Sequence, residues 1–197
     1  MNLTSLRIQG AAAVLWPMLL ILAVWQITVS VTGVSAIVVP APLDVLDVYR
    51  QHPGTFAVAL GYTLAVAAFG LVAGMLLGVL LASLVWASPL AAGLVTPAAV
   101  LVQSVPIIAV VPVLARLLGY DIKTVAAIAV LISFFPTFVL TLSGMSKLPA
   151  GSSDVFEVLG ARRWIRYRRL ALPAAIPNLL SAFRIAAANC ILATLVA

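Results

Sequence analysis

Arginine is the residue whose type and spacing first invite a chemical reading. Arg162, Arg163, Arg166, Arg168 and Arg169 fall within eight positions and hold five of the eleven basic side chains in the chain. Guanidinium groups gathered in this way bind anions, or keep a segment out of lipid. The remaining polar candidates are scattered through apolar stretches: Gln103, Ser104 and Pro106 in one, Ser133 in the next, Arg184 in the last. No cluster of His or carboxylates in those stretches could hold a metal or act as an acid and base, and no GxxxxGK[ST] phosphate loop occurs. Neither a catalytic residue nor a metal site is expected, and no cofactor is expected on this chain.

The elements that position these residues are membrane helices. Of 197 residues 64% are hydrophobic and 8% charged, and the mean hydropathy is +1.25. That composition excludes a water-soluble globular domain. The formal charge of +6 then reads as topology rather than as a nucleic-acid footprint, because basic residues collect on the cytoplasmic side of membranes. The lone Cys190 cannot form an intrachain disulfide, and a small core residue is its expected role.

Crossing the hydrocarbon takes about 20 apolar residues, and five stretches qualify: 11–32, 57–87, 90–118, 124–146 and 174–197. The expectation is an all-α membrane protein whose residues 1–197 form a single transmembrane domain. The second and third stretches exceed the bilayer thickness, so they tilt or project. Two readings of the first stand open: an uncleaved helix, favoured by its length and by Trp16, Pro17 and Trp25, or a signal peptide cleaved after the "VSA" at 34–36. The arginine cluster between the fourth and fifth stretches belongs in the cytoplasm, and counting back through four crossings puts the amino terminus and Arg7 there too. The external segment 40–56 contains an amphipathic stretch with Leu43, Leu46 and Tyr49 at helical spacing, lying along the membrane surface.

Gly70, Gly74, Gly78 and Ala82 make a small-residue face on the second span, which suits close helix packing. The third span is interrupted by Pro97, Pro106 and Pro112 around Gln103 and Ser104. It is either a broken helix lining a pathway or a kinked packing helix. Ser133, with Pro136, Thr137 and Thr141, repeats that pattern in the fourth span. Arg184 costs about 2.5–3.5 kcal/mol near mid-helix, so it faces the bundle interior or a cavity, or else reaches the headgroups. No acid, base or His sits centrally in the first four spans, which argues against a proton-relay carrier.

Five arginines in lipid would cost about 12–18 kcal/mol on the same scale, so the loop at 147–173 lies outside it. The loop nevertheless has the pattern of ordered structure. Asp154 is expected to cap a helix with Glu157 at its third position, and Gly160 to end that helix in a left-handed turn. A second helix is expected from Ala161, with Arg162, Arg166 and Arg169 on one side and Trp164, Tyr167 and Ala171 on another, before Pro173 opens the last span.

The stretch "DVFEVLGARRWIRYRRLALP" resembles the EAA loop of ABC-importer permeases: Glu-Ala-Ala, three residues, Gly, nine residues, Ile, one residue, Leu-Pro. Gly160 matches the glycine, Leu172 and Pro173 the Leu-Pro; Leu170 stands for the isoleucine, and Asp154, Val155 and Phe156 replace Glu-Ala-Ala. "SVPIIAVVPVLARLLGYDIKT", "FFPTFVLTLSGMSKLP" and "LPAAIPNLLSAFRIA" are similar to parts of permeases for nitrate, taurine, alkanesulfonates and thiamine precursors. The resemblance implies a type I importer bundle of six helices, of which five are visible and a sixth is missing. It implies a homodimeric pore in the bacterial inner membrane, an extracytoplasmic substrate-binding protein, and an ATP-binding cassette subunit that carries ATP and Mg. The ATPase-docking residues it implies are Asp154, Val155, Phe156, Glu157, Gly160, Ala161, Leu170, Leu172 and Pro173. Gln103, Ser104, Pro106, Ser133 and Arg184 are candidates for the translocation pathway. The arginines would fix topology and contact anionic lipid or the ATPase. The alternative is a standalone channel or ion-coupled carrier.

Overall fold

The computed structural model describes residues 3–103 and 107–196, with side chains described over 15–99, at 101 and over 109–195. Among the described residues every regular element is helical. Two compact units divide at residues 59 and 60.

The first unit contains α1 (Leu3–Thr32) and α2 (Pro42–Gln51). From Leu15 to Thr32 helix α1 is mostly apolar and exposed, with Gln26 and Val29 half-buried, which suits a lipid-facing span. Pro42 opens α2 at a position where the missing N–H is no loss, and the Asp44 carboxylate accepts the Ala41 N–H at 3.2 Å. The side-chain oxygen of Gln26 accepts the Leu43 N–H at 3.1 Å, fastening α2 to α1. The helix expected within 40–56 is therefore present, with Leu43, Leu46 and Tyr49 exposed.

The second unit begins within α3 (Pro53–Ala87) and continues through α4 (Pro89–Gln103), α5 (Ile107–Leu118) and α6 (Ile122–Ser146) to α7 (Ser152–Val158), α8 (Arg163–Arg166), a π-helical turn at Tyr167–Ala171 and α9 (Leu172–Val196). Among the described residues four helices are long and apolar enough to cross a membrane: α1 over Leu15–Thr32, α3, α6 and the helix from Arg163 to Leu195. The third expected span is helical over Pro89–Gln103 (α4) and Ile107–Leu118 (α5). Pro97 and Pro112 are accommodated inside them, while Ser104 and Pro106 lie outside the described residues.

Helix α6 is the centre of this unit. A Cβ at Gly70 would collide with Ala129; one at Gly74 would lie 2.5 Å from the Val130 carbonyl oxygen and 2.7 Å from Ser133 Cβ; one at Gly78 would lie 2.9 Å from Thr137 Cβ. The contacts advance together along both helices, so α3 and α6 run parallel, and α4 with α5 returns the chain between them. Lipid gives no hydrophobic drive for helices to associate, so contact at backbone distance is what binds them. Against α9, a Cβ at Gly144 would sit 2.8 Å from Ala175 Cα, and Asn178 Nδ2 donates to the Leu140 carbonyl at 3.2 Å. Farther along, Cys190 Sγ donates to the Ala67 carbonyl at 3.2 Å beside Ala129. Helix α9 thus runs antiparallel to α6, and Cys190 is the small core residue expected of it.

Candidate functional site: the 147–173 loop

The parallel run of α3 and α6 brings the last turn of α3 to the end of α6, where the loop begins. Its first helix starts earlier than the capping pattern implied. Gly151 adopts φ +76°, a left-handed conformation open to glycine, and α7 begins at Ser152. Asp154 is therefore a first-turn residue rather than the cap, placed where a carboxylate favours the positive end of the helix. At the other end the expectation holds: Gly160 has φ +64°. Its N–H donates to the Glu157 carbonyl and the Ala161 N–H to the Phe156 carbonyl, both at 2.9 Å, which is the paired closure of a Schellman motif.

The second helix begins at Arg163, with Arg162 rather than Ala161 at its cap. It does not stop before Pro173. The Leu172 N–H reaches back to the Tyr167 carbonyl, a five-residue step that widens one turn and carries the helix straight into α9. Pro173 therefore lies within a continuous helix, just past the widened turn, rather than at the start of a separate span.

Tyr167 ties this continuous helix to α3. Ser83 Oγ donates to the Val79 carbonyl at 2.7 Å, so in its 2.9 Å contact with Tyr167 Oη the tyrosine is the donor. The tyrosine ring stacks on Trp164 at 5.4 Å and meets Trp86 at 5.7 Å. Trp86 Nε1 in turn donates to the Met145 carbonyl at 3.2 Å. The two halves of the loop are joined by Arg166, whose guanidinium donates to Ser153 Oγ at 2.7 Å. Sequence reasoning singled out Tyr167 but missed Ser83 and Trp86. A tryptophan at the end of a long span was the available signal for Trp86; nothing marked Ser83.

While its base is anchored, the outer surface of the loop is bare. Val155, Leu159 and Trp164 are exposed, and Val158 is 87% exposed. Asp154, Glu157, Gly160 and Pro173 are exposed with them, whereas Phe156, Ala161, Leu170 and Leu172 are half-buried. The other candidates are not brought together with these. Gln103 is the last residue of α4, with its side chain outside the described residues, as are Ser104 and Pro106. Ser133 is wholly buried against Gly74, and its hydroxyl has no partner among the described residues. Arg184 is exposed rather than turned into the packed interior. It lies two residues from each of the buried Ala182 and Ala186, on the opposite face of α9, so the charge avoids the seam against α6.

These features define an all-α, multi-span membrane protein with an ordered amphipathic loop fastened to the ends of its spans. Residues 74–197 match the family described as the binding-protein-dependent transport system inner membrane component. A formylaminopyrimidine transport permease protein of Halalkalibacterium halodurans is 30% identical over 169 residues, covering 85% of this chain and 67% of that protein. A Bacillus subtilis protein named for aliphatic sulfonates transport is 28% identical over 167 residues, 84% of this chain and 60% of that one. A Haemophilus influenzae protein named as an ABC transporter permease is 26% identical over 166 residues, 84% and 68% respectively. The chain thus spans about two thirds of the length of these relatives. It belongs to the binding-protein-dependent permeases of ABC importers.

Proposed function

We propose that this chain is the membrane-spanning subunit of an ATP-driven importer, acting as one permease domain over residues 1–197, and that the 147–173 loop is where a separate ATPase grips it. The observation that carries the reading is the loop itself: rigidly closed by Gly160, bound to α3 through Tyr167, and bare on its outer apolar surface. An uncovered apolar face on an anchored element calls for a partner. Asp154, Val155, Phe156, Glu157, Gly160 and Ala161 form the gripped helix and its closure, and Leu170, Leu172 and Pro173 carry the movement into α9. ATP and Mg reside on the partner. The loop and the amino terminus face the cytoplasm, as the arginines favour.

The pore is a homodimer fed by an extracytoplasmic binding protein. Its cargo is a small solute of the sulfonate, taurine, nitrate or thiamine-precursor kind, a range supported by relatives named for formylaminopyrimidine and aliphatic sulfonates. Gln103, Ser104, Pro106, Ser133 and Arg184 are the residues to probe along the path. Affinity purification of the chain from native membranes, followed by measurement of ATP hydrolysis and of solute uptake after ATP depletion, tests the proposal. An associated ATPase and uptake that ceases on depletion are expected. Uptake that persists without an ATPase would establish a standalone channel or carrier instead.

A further inference from the structure

Two of the loop arginines line a pocket that shares no residue with those proposed to dock the ATPase. An open cavity of about 460 Å³ is lined by Trp86, Met145, Ser146, Leu148, Arg163 and Arg166, a size typical of small-ligand sites. It lies where the ends of α3 and α6 meet α8, and span ends of this kind lie at headgroup level. Arg163 and Arg166 are three apart on one helix and so share a face. The contact with Ser153 fixes Arg166, yet a guanidinium has five N–H donors and most remain available. Among the described residues the ion pair formed is Arg50 with Asp47, so neither pocket arginine is neutralised by a carboxylate. Trp86 already spends its N–H on Met145 and contributes an apolar wall with Met145 and Leu148. The pocket therefore combines paired cationic forks, a hydroxyl at Ser146 and no acid.

We infer that this pocket binds the phosphate group of an anionic ligand, with Arg163 and Arg166 as the forked donors and the Trp86 wall taking the apolar part beside it. Forked guanidinium contacts match phosphate oxygens, and the position at the span ends makes both a phospholipid headgroup and free phosphate accessible sources. The test uses the purified chain in detergent, without any ATPase, so its outcome is separate from the docking proposal. Thermal unfolding is followed while phosphatidylglycerol, phosphatidylcholine or inorganic phosphate is titrated in. Phosphatidylglycerol is expected to raise the unfolding temperature saturably, and phosphatidylcholine, which carries no net charge, much less. The double variant Arg163→Gln/Arg166→Gln weakens the response at least about tenfold, whereas Arg168→Gln/Arg169→Gln, which removes the same charge, retains it. Ser146→Trp fills the pocket while keeping both arginines, and gives the same loss without disturbing the helix that bears them. Saturation by inorganic phosphate with the same arginine dependence assigns a soluble anion; saturation by phosphatidylglycerol alone assigns the lipid. Equal loss in both double variants, an equal response to phosphatidylcholine, or no response to any of the three overturns the site.

Discussion

Replacing Gly74 by alanine adds one methyl group at the tightest seam of the molecule. That Cβ would stand 2.5 Å from the Val130 carbonyl oxygen, 2.7 Å from Ser133 Cβ and 3.0 Å from the Phe134 backbone nitrogen. Comfortable contact needs roughly 3.5–4.0 Å, and two of the three obstacles are backbone, which cannot swing aside as a flexible side chain does. The helices must part by about 1 Å, and overpacking of this kind costs about 1–3 kcal/mol. Gly61 lies on the same helix with nothing within 4 Å of an added Cβ. There Gly61→Ala should stabilise by about 0.5–1 kcal/mol through helix propensity alone. Denaturant unfolding in one detergent, followed by tryptophan fluorescence, compares the two variants directly. Opposite signs are expected; a Gly74→Ala protein as stable as Gly61→Ala would refute the claim that backbone-distance contact holds α3 to α6.

Three further outcomes follow from local geometry. Tyr167→Phe and Ser83→Ala should each cost about 0.5–1.5 kcal/mol in unfolding measurements, and the double variant less than their sum, because both remove one hydrogen bond; strict additivity would deny the bond. Gly160→Val meets no steric obstacle but must hold a β-branched residue at φ +64°, a penalty of roughly 1–2 kcal/mol. ATPase co-purification should therefore weaken about 5–30-fold and be largely kept in Gly160→Asn; full retention in the valine variant would show that the partner does not read this turn. Asp121 caps α6 by accepting the Lys123 N–H at 2.8 Å, so Asp121→Ala should destabilise by about 0.5–2 kcal/mol, with Asn restoring most of it.

What was legible in the sequence was what local rules control. Apolar length located α1, α3, α6 and α9, proline followed by an amphipathic period located α2, and the glycine at 160 announced its left-handed turn. The capping pattern misled because Asp154 and Glu157 satisfy the spacing of a capping box, while Gly151 offered an earlier start that spacing alone does not weigh. Least legible were pairs far apart in the chain: Ser83 with Tyr167, Trp86 with Met145, Cys190 with Ala67. Each depends on which helix neighbours which, and periodicity within one helix carries no such information. The widened turn at Tyr167–Ala171 was likewise invisible, since nothing in its composition distinguishes it from an ordinary helical turn.

The seam between α3 and α6 also sets a unit of length. Gly70, Gly74 and Gly78 recur every four residues, and the residues seated on them, Ala129, Ser133 and Thr137, recur at the same interval. Two helices notched alike behave as a toothed rack. A slip of one, two or three residues drives the seated side chains against the bulkier positions between the notches, and the next permitted register is a whole tooth away, about 6 Å along the axis. Any smaller rearrangement of this bundle must carry α3 and α6 together as one body.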